Sequence, residues 1–147
     1  MTSDDHPQPT SHLGGADSEL DQFLSDRLAE YNAAATEGVA PAQELTVRTL
    51  NDEGGIVGGV SGWTWGDAAG MGMVWVHRDH RRSGVGSLLL RDFEAEAQRR
   101  GCTHVFVTSF TFQAPGFYER HGYRELFRWE GMPTPDHADV HFRKDLN

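Results

Sequence analysis

The sequence predicts one α/β domain in which helices flank a mixed β-sheet. Its 147 residues suit a single domain, and 37% hydrophobic with 24% charged residues is an ordinary globular composition. Apolar periods of 3.6 and of 2 alternate along the chain in the order helix, three strands, helix, strand, helix, two strands. That order, without an internal repeat, is typical of a layered domain that buries one sheet-and-helix core.

The first part of the chain predicts a tail followed by one amphipathic helix. Residues 1–17 are rich in Pro, Ser, Asp and Gly, so we expect a disordered tail there and a domain over residues 18–147. Ser18 is the predicted N-cap of a helix over residues 19–31, and residues 32–42 are expected to be a linker. The helix is expected to bury one face, because apolar residues recur every three or four positions at Leu20, Phe23, Leu24, Leu28 and Tyr31.

A hairpin and a third strand follow. Alternating residues predict strands over 45–49 and 56–65, joined by the turn sequence Asn-Asp-Glu-Gly-Gly. Gly58, Gly59 and Gly62 indicate a bulge or a place where another group approaches the backbone closely. A further apolar strand over residues 71–77 is entered through Gly70.

The remaining elements complete the sheet. An amphipathic helix begins at Gly84 and is closed by Gly101, a residue favoured just after a helix end. Residues 103–108 predict a short strand, and residues 114–121 a short helix that ends at Gly122. Two antiparallel strands over 123–130 and 138–146 are expected last.

The charge distribution favours a small anionic ligand over nucleic acid. The net charge of −9 arises within residues 1–53, which contain eleven acidic residues and only two basic ones, Arg27 and Arg48. Residues 78–91, by contrast, hold four arginines and one acid. Nucleic-acid binding usually needs a broad basic face, so we expect no nucleic-acid partner. A membrane span needs about 20 consecutive apolar residues, which the sequence lacks, so we expect no membrane partner. Residues 1–15 lack the apolar core of a secretory signal, and a cytoplasmic location is expected.

The turn over residues 81–86, Arg-Arg-Ser-Gly-Val-Gly, is the most informative stretch. It joins an apolar strand to the start of an amphipathic helix, where backbone N–H groups lack partners and the helix dipole adds positive charge. Gly84 and Gly86 let a diphosphate approach the amides, and Arg81 and Arg82 add charge-assisted bonds. The Walker A lysine is absent, and Leu89 stands where a dinucleotide fingerprint needs a third glycine.

The pattern Arg-x-x-Gly-x-Gly after a strand resembles motif A of the GNAT superfamily of N-acetyltransferases. A second match lies downstream, where residues 114–123, Ala-Pro-Gly-Phe-Tyr-Glu-Arg-His-Gly-Tyr, resemble the family's A-x-x-F-Y-E-x-x-G-F segment. The resemblance covers about residues 45–146. It implies a mixed, mostly antiparallel sheet with splayed central strands, and transfer of an acetyl group from acetyl-CoA to a primary amine of a small molecule or peptide.

The resemblance also assigns roles to individual residues. Tyr118 matches the position that commonly protonates the leaving coenzyme A thiolate as general acid. The strand before the turn is expected to offer backbone groups to the pantetheine arm, the turn amides to hold the diphosphate, and Gln113 to contact the coenzyme. The expected coenzyme-binding residues are Met73, Val74, Trp75, Val76, Arg81, Arg82, Ser83, Gly84, Val85, Gly86, Ser87 and Gln113.

Two departures from the family pattern leave alternatives open. Thr111 stands where an asparagine is common, and residues 71–76 lack the acid that many members use to deprotonate the amine. His77 is the nearest titratable group, and the other candidate bases are Glu53, Asp67, His104, His137 and His141. Because the strand lacks this acid, an idle acyl-CoA-binding sensor is retained as an alternative. Transfer of a longer acyl chain and a homodimer, which is common in the family, also remain open.

Other chemistry-bearing residues have plainer interpretations. Cys102 and His104 would share a strand face, but no orienting acid is evident, so an acyl-cysteine intermediate is not expected. No acid–histidine cluster completes the pairs His77 with His80 or His137 with His141, so no metal is expected. Trp63 and Trp65 are expected to pack against the sheet or to line an acceptor pocket.

Overall fold

The structure is a computed structural model that describes residues 7–147. It divides into two units, the chain up to Gly38 and Val39–Asn147. Residues 1–6 of the expected tail lie outside the described residues, and residues 7–17 contain no helix or strand.

The first unit contains helix α1 (Ser18–Ala35), four residues longer at its end than expected. Asp17, and not Ser18, is the N-cap, because the Asp17 side chain accepts a hydrogen bond from the Leu20 amide at 2.9 Å. The expectation of a buried face is wrong: no residue of α1 is buried, and Tyr31 is 73% exposed. Residues 7–38 contain no second element against which the helix could pack.

The second unit is a six-stranded sheet with two helices. The elements are β1 (Gln43–Leu50), β2 (Ile56–Trp65), β3 (Ala68–Val76), α2 (Val85–Arg99), β4 (His104–Phe110), α3 (Pro115–Arg120), β5 (Arg124–Glu130) and β6 (Ala138–Asp145). The strands lie in the order β1-β2-β3-β4-β6-β5, and all neighbours are antiparallel except β3 and β4. The mixed, mostly antiparallel sheet and the element order are thus confirmed.

One face of the sheet, the helical face, packs against α2 and α3. The core there joins Leu89 and Phe93 of α2 with Val105 of β4 and Phe142 of β6, all at most 1% exposed. Strand residues alternate between faces, so the intervening residues point to the opposite side, which we call the second face. In Val39–Asn147 both helices lie on the helical face.

The two central strands pair over only four positions, from Ala68 opposite His104 to Met71 opposite Val107. Beyond them β3 stays paired with β2 as far as Val76, while β4 stays paired with β6 as far as Phe110. A gap therefore opens between residues 73–76 and residues 108–110, which confirms the expected splay. The expected bulge is also present, at a register shift between Ser61 and Gly62.

Candidate active site

The turn between β3 and α2 presents a row of backbone amides. A short 3-10 turn, Arg78–His80, leads to Arg82 with φ 67° and then to Gly84 with φ 87°, the N-cap of α2. Within residues 7–147 the amides of residues 83–87 donate no hydrogen bond, and the Leu88 amide is the first to do so, to the Gly84 carbonyl at 3.0 Å. Unpaired N–H groups at the positive end of a helix dipole make this turn suited to a diphosphate.

The arginines of the turn differ in their surroundings. The Arg81 Nε donates to the Val76 carbonyl at 3.1 Å and so ties the turn to the end of β3. Arg82 is exposed, and Arg78 is 84% exposed with its nearest acid, Asp79, 3.9 Å away. Arg81 therefore shapes the turn as well as adding charge, whereas Arg82 carries its charge into solvent.

The two glycines of the motif are required for different physical reasons. Gly84 has open space around it but adopts a left-handed φ of 87°, which disfavours any residue with a Cβ. A Cβ on Gly86 would lie 2.9 Å from Cζ of Phe117 in α3. The glycine at position 86 thus permits close packing of α2 on α3, a requirement that ligand approach alone does not explain.

Tyr118 lies in the core beside this packing contact. It is 6% exposed, and its ring packs against those of Phe117 and Tyr123 at centroid distances of 5.3 and 5.8 Å. Its hydroxyl makes no hydrogen bond to residues 7–147, yet it is not fully enclosed. Burial raises the pKa of Tyr118 to about 12, so the phenol keeps its proton at neutral pH.

A second bond links α2 to α3. The Ser87 hydroxyl lies 2.8 Å from Nε2 of His121, whose Nδ1 is 2.8 Å from the Phe117 carbonyl oxygen. The Ser87 side chain is thereby engaged, and its backbone amide remains available. The sequence interpretation did not anticipate Phe117 or His121 as positioning residues, although both lie inside the second motif.

Gln113 closes the end of β4. The side-chain carbonyl of Gln113 accepts a hydrogen bond from the Phe110 backbone amide at 2.8 Å. The backbone N–H of Gln113 donates to the Phe110 backbone carbonyl, also at 2.8 Å. Thr111, at the position where the family often has asparagine, is bonded to the start of β6 through Ala138. The Gln113 side-chain NH₂ group therefore remains available to a ligand.

Residues 73–76 border the gap between the central strands. One edge of this segment is paired with β2, and its other edge has no strand partner. Val74 and Val76 pack against the core, whereas Met73 and Trp75 stand on the second face, 71% and 51% exposed. Apart from the Val76 carbonyl, which accepts from Arg81 Nε, the backbone that faces the gap is therefore available to bind an extended arm.

The second face beside the gap holds a depression and an acid–histidine pair. The depression, about 280 Å³, is lined by β1, β2 and β3 and includes Arg48, Gly59 and Trp75. Across the gap, Asp139 Oδ2 and His141 Nε2 lie 3.0 Å apart on β6. The sequence interpretation named His141 but missed Asp139, although strand alternation places residues 139 and 141 on one face.

The other candidates are buried or engaged with neighbouring residues. The Cys102 thiol is 4% exposed, and burial raises its pKa, so it is a poor nucleophile. His77 accepts a hydrogen bond from the Asp79 amide, and His137 packs against Phe112. Trp63 covers Gly70, where a Cβ would lie 2.4 Å from its ring, so this tryptophan packs at the closed end of the sheet.

Among residues 7–147 no three His, Cys, Asp or Glu residues are grouped as metal ligands would be. No helix in the same range is long and apolar enough to cross a membrane.

Comparison with known proteins identifies the family. The acetyltransferase (GNAT) domain profile matches residues 43–125, which include the amide-rich turn and α3. Blasticidin-S acetyltransferase of Streptomyces morookaense is 43% identical over 72 residues, which are 48% of this chain and 50% of that protein. The chain thus spans about half the length of this curated relative.

Solved structures extend the likeness over the whole fold. A crystal structure of an acetyltransferase from Bacillus cereus superposes with a TM-score of 0.77 at 32% identity, covering 92% of this chain and 98% of that one. An aminoglycoside 6'-N-acetyltransferase complexed with coenzyme A has a TM-score of 0.62 at 16% identity, covering 92% and 95%, and shows the shared fold alone. The chain belongs to the GNAT family of acetyltransferases.

Proposed function

We propose that the chain transfers an acetyl group from acetyl-CoA to a primary amine of a small molecule, with Tyr118 as general acid. The observation that carries the proposal is convergence at one end of the sheet. The β3–β4 gap, the amides of residues 83–87 and the buried Tyr118 phenol belong to three segments that meet beside Gly86. A Cβ at this glycine would lie 2.9 Å from Phe117 and 3.8 Å from Val76. An aminoglycoside 6'-N-acetyltransferase of the same fold is complexed with coenzyme A, which supports a coenzyme A donor for this chain.

The proposed chemistry is a direct transfer. The amine nitrogen attacks the thioester carbonyl carbon, and the C–S bond breaks as the tetrahedral intermediate collapses. The Tyr118 hydroxyl gives its proton to the leaving sulfur, and the proton lost by the nitrogen restores the phenol. Backbone N–H groups along residues 73–76 are the oxyanion donors, and holding donor and acceptor together supplies much of the acceleration.

The acceptor is proposed from surface chemistry and from the named relative. The depression beside Trp75 offers an aromatic wall next to the gap. Because a relative is a blasticidin-S acetyltransferase, blasticidin S is the first acceptor to test.

The test follows thiol release from acetyl-CoA with blasticidin S, aminoglycosides, polyamines, amino acids and peptides. We expect turnover with at least one amine, and a fall in kcat of about 10²–10⁴-fold for Tyr118→Phe with unchanged coenzyme affinity. Tyr123→Phe is the matched control, since it removes a buried phenol 5.8 Å away that is bonded to Glu94. Tight coenzyme binding without turnover on any amine would instead favour the sensor, and full activity of Tyr118→Phe would exclude Tyr118 as the acid.

A further inference from the structure

We propose that His141, positioned by Asp139, takes the proton from the acceptor amine before attack. This inference rests on the proposed function and fills the role for which β3 supplies no acid. An amine that is protonated at neutral pH has no lone pair for the thioester, so the reaction needs a proton acceptor on the side from which the amine approaches.

The register of the strands places the pair beside the gap. His141 lies opposite Thr108 of β4, and Asp139 lies opposite Phe110. Thr108 is the first β4 residue beyond the four positions at which β4 pairs with β3. His141 is therefore one strand spacing, about 5 Å, from the strand that borders the gap.

The pair stands on the correct face for an acceptor. The β6 residues Val140 and Phe142 belong to the core under the helices, so alternation directs Asp139 and His141 to the second face. Met73 and Trp75 project from β3 to the same face on the other side of the gap. The turn between β3 and α2, which is proposed to hold the diphosphate, and Tyr118 both lie on the helical face. An amine that approaches from the second face would therefore reach the thioester from the side opposite the diphosphate.

The hydrogen bond fixes which nitrogen is basic. His141 Nε2 lies 3.0 Å from Asp139 Oδ2, and an ionised carboxylate can only accept, so the proton sits on Nε2 and the lone pair on Nδ1. Within residues 7–147 Nδ1 has no hydrogen-bond partner, and the side chain is 38% exposed. His141 is thus accessible, and the adjacent carboxylate stabilises the imidazolium that forms.

Asp139 is a buried carboxylate whose cost to stability calls for a functional reason. It is 8% exposed, and its Oδ1 is buried without a hydrogen-bond partner among residues 7–147. A buried carboxylate oxygen without a partner is destabilising, and native structures keep few such atoms. Orienting a base is a physical reason to keep this carboxylate between Phe110 and Trp129, which lie opposite it on the two flanking strands.

Few other charges face His141. On its own strand Arg143 shares the face, but its Nε is bonded to Asp145 at 2.8 Å. The flanking strands present Thr108 from β4 and Phe127 from β5, whose ring is 5.5 Å from that of His141. Asp139 is therefore the dominant charge at this histidine.

The proton balance is complete within the proposed reaction. Nδ1 takes one proton from the ammonium, and the freed lone pair forms the C–N bond. The C–S bond breaks, the sulfur takes the Tyr118 proton, and the second proton lost by nitrogen restores Tyr118. The His141 imidazolium then releases its proton to solvent.

The experiment measures kcat/KM against pH for the full chain with acetyl-CoA and the amine that gives the fastest turnover. We expect kcat/KM of the wild type to rise along a limb with increasing pH, because only the unprotonated imidazole can accept the proton. His141→Gln should lose this limb and about 10²–10⁴-fold of the rate at pH 7, with the coenzyme Kd unchanged. Asp139→Asn should lose at least about tenfold, because an asparagine amide donating to Nε2 moves the proton to Nδ1.

His104→Gln is the matched control. His104 lies on the second face of β4, but opposite Ala68 at the closed end, four residues or about 13 Å from Thr108. Its profile should match the wild type. His141→Ala should regain part of the lost rate when imidazole is added, which a folding defect would not allow.

Three outcomes overturn the inference. If His141→Gln keeps both the wild-type rate and pH limb, the base lies elsewhere, and the proposed transferase function stands. The same holds if His104→Gln, and not His141→Gln, loses the limb. If the wild type binds coenzyme A but acetylates no amine, both the function and the inference fail.

Discussion

Replacing Gly86 with alanine tests whether the second glycine of the motif serves packing. The added Cβ would lie 2.9 Å from Cζ and 3.1 Å from Cε2 of Phe117, closer than ordinary carbon contacts. The ring has little room to retreat, because it packs against Tyr118 at 5.3 Å and His121 at 4.5 Å. Gly86→Ala should therefore force α2 and α3 apart.

The expected size follows from two opposing terms. Overpacking a filled site costs about 1–3 kcal/mol, whereas alanine inside a helix gains about 0.5–1 kcal/mol over glycine. From the middle of each range, the net loss in the free energy of unfolding should be about 1 kcal/mol, and at most about 2.5 kcal/mol. At about 4 °C per kcal/mol for a chain of this size, Tm should fall by about 4 °C, and by at most about 10 °C.

The assay is urea and thermal unfolding of a double-mutant cycle with Phe117→Leu. Leucine removes the ring atoms that collide, so Gly86→Ala should cost little in that background. Gly116→Ala is the matched control: it lies in α3, and its Cβ would meet only Arg120 Nη1, the end of a flexible side chain, at 3.3 Å. A coupling energy below about 0.3 kcal/mol between positions 86 and 117 would refute the packing explanation.

Two further predictions concern buried titratable groups. Burial raises the pKa of Tyr118 to about 12 and that of Tyr123 further, so the stability they contribute is present below pH 10 and lost as pH rises above it. Urea unfolding from pH 9 to 11 should show this decline, and Tyr118→Phe should reduce it. Cys102 should react with a disulfide reagent at least about 100-fold faster in urea than in the native state, since burial excludes the reagent and raises the thiol pKa. Rapid native labelling would reopen the acyl-cysteine alternative.

Local patterns were sufficient for most elements of the sheet domain. Alternation and turn chemistry predicted β2 with its observed bounds, and glycines marked the ends of α2 and α3 correctly. β3 begins three residues before the expected strand, since Gly70 pairs with Trp63 and does not precede the strand. A glycine that fits beneath a large ring from the neighbouring strand depends on tertiary contact, which local propensity does not contain.

The site was predictable where it is contiguous in sequence and not where it is assembled across strands. The turn around Gly84 and the helix bearing Tyr118 were expected from their motifs. A role for Asp139 could not be predicted, because it depends on two tertiary facts. His141 shares the strand face of Asp139, and Thr108 at the edge of the gap lies opposite His141. For α1 the apolar spacing correctly predicted a helix, but the expectation that one face is buried was wrong. An amphipathic pattern shows that a face is apolar, and it does not show what covers that face.

The four-residue pairing between β3 and β4 gives this domain an internal seam. β1, β2 and β3 form one half of the sheet, and β4, β6 and β5 form the other, joined directly only at Ala68–Met71. A molecule that bonds to both borders of the gap would act as a missing strand and connect the halves. Its binding free energy would then also be folding free energy, so occupancy and resistance to unfolding should rise together. Depletion of the bound metabolite would in that case shorten the lifetime of the protein itself, coupling its abundance to supply.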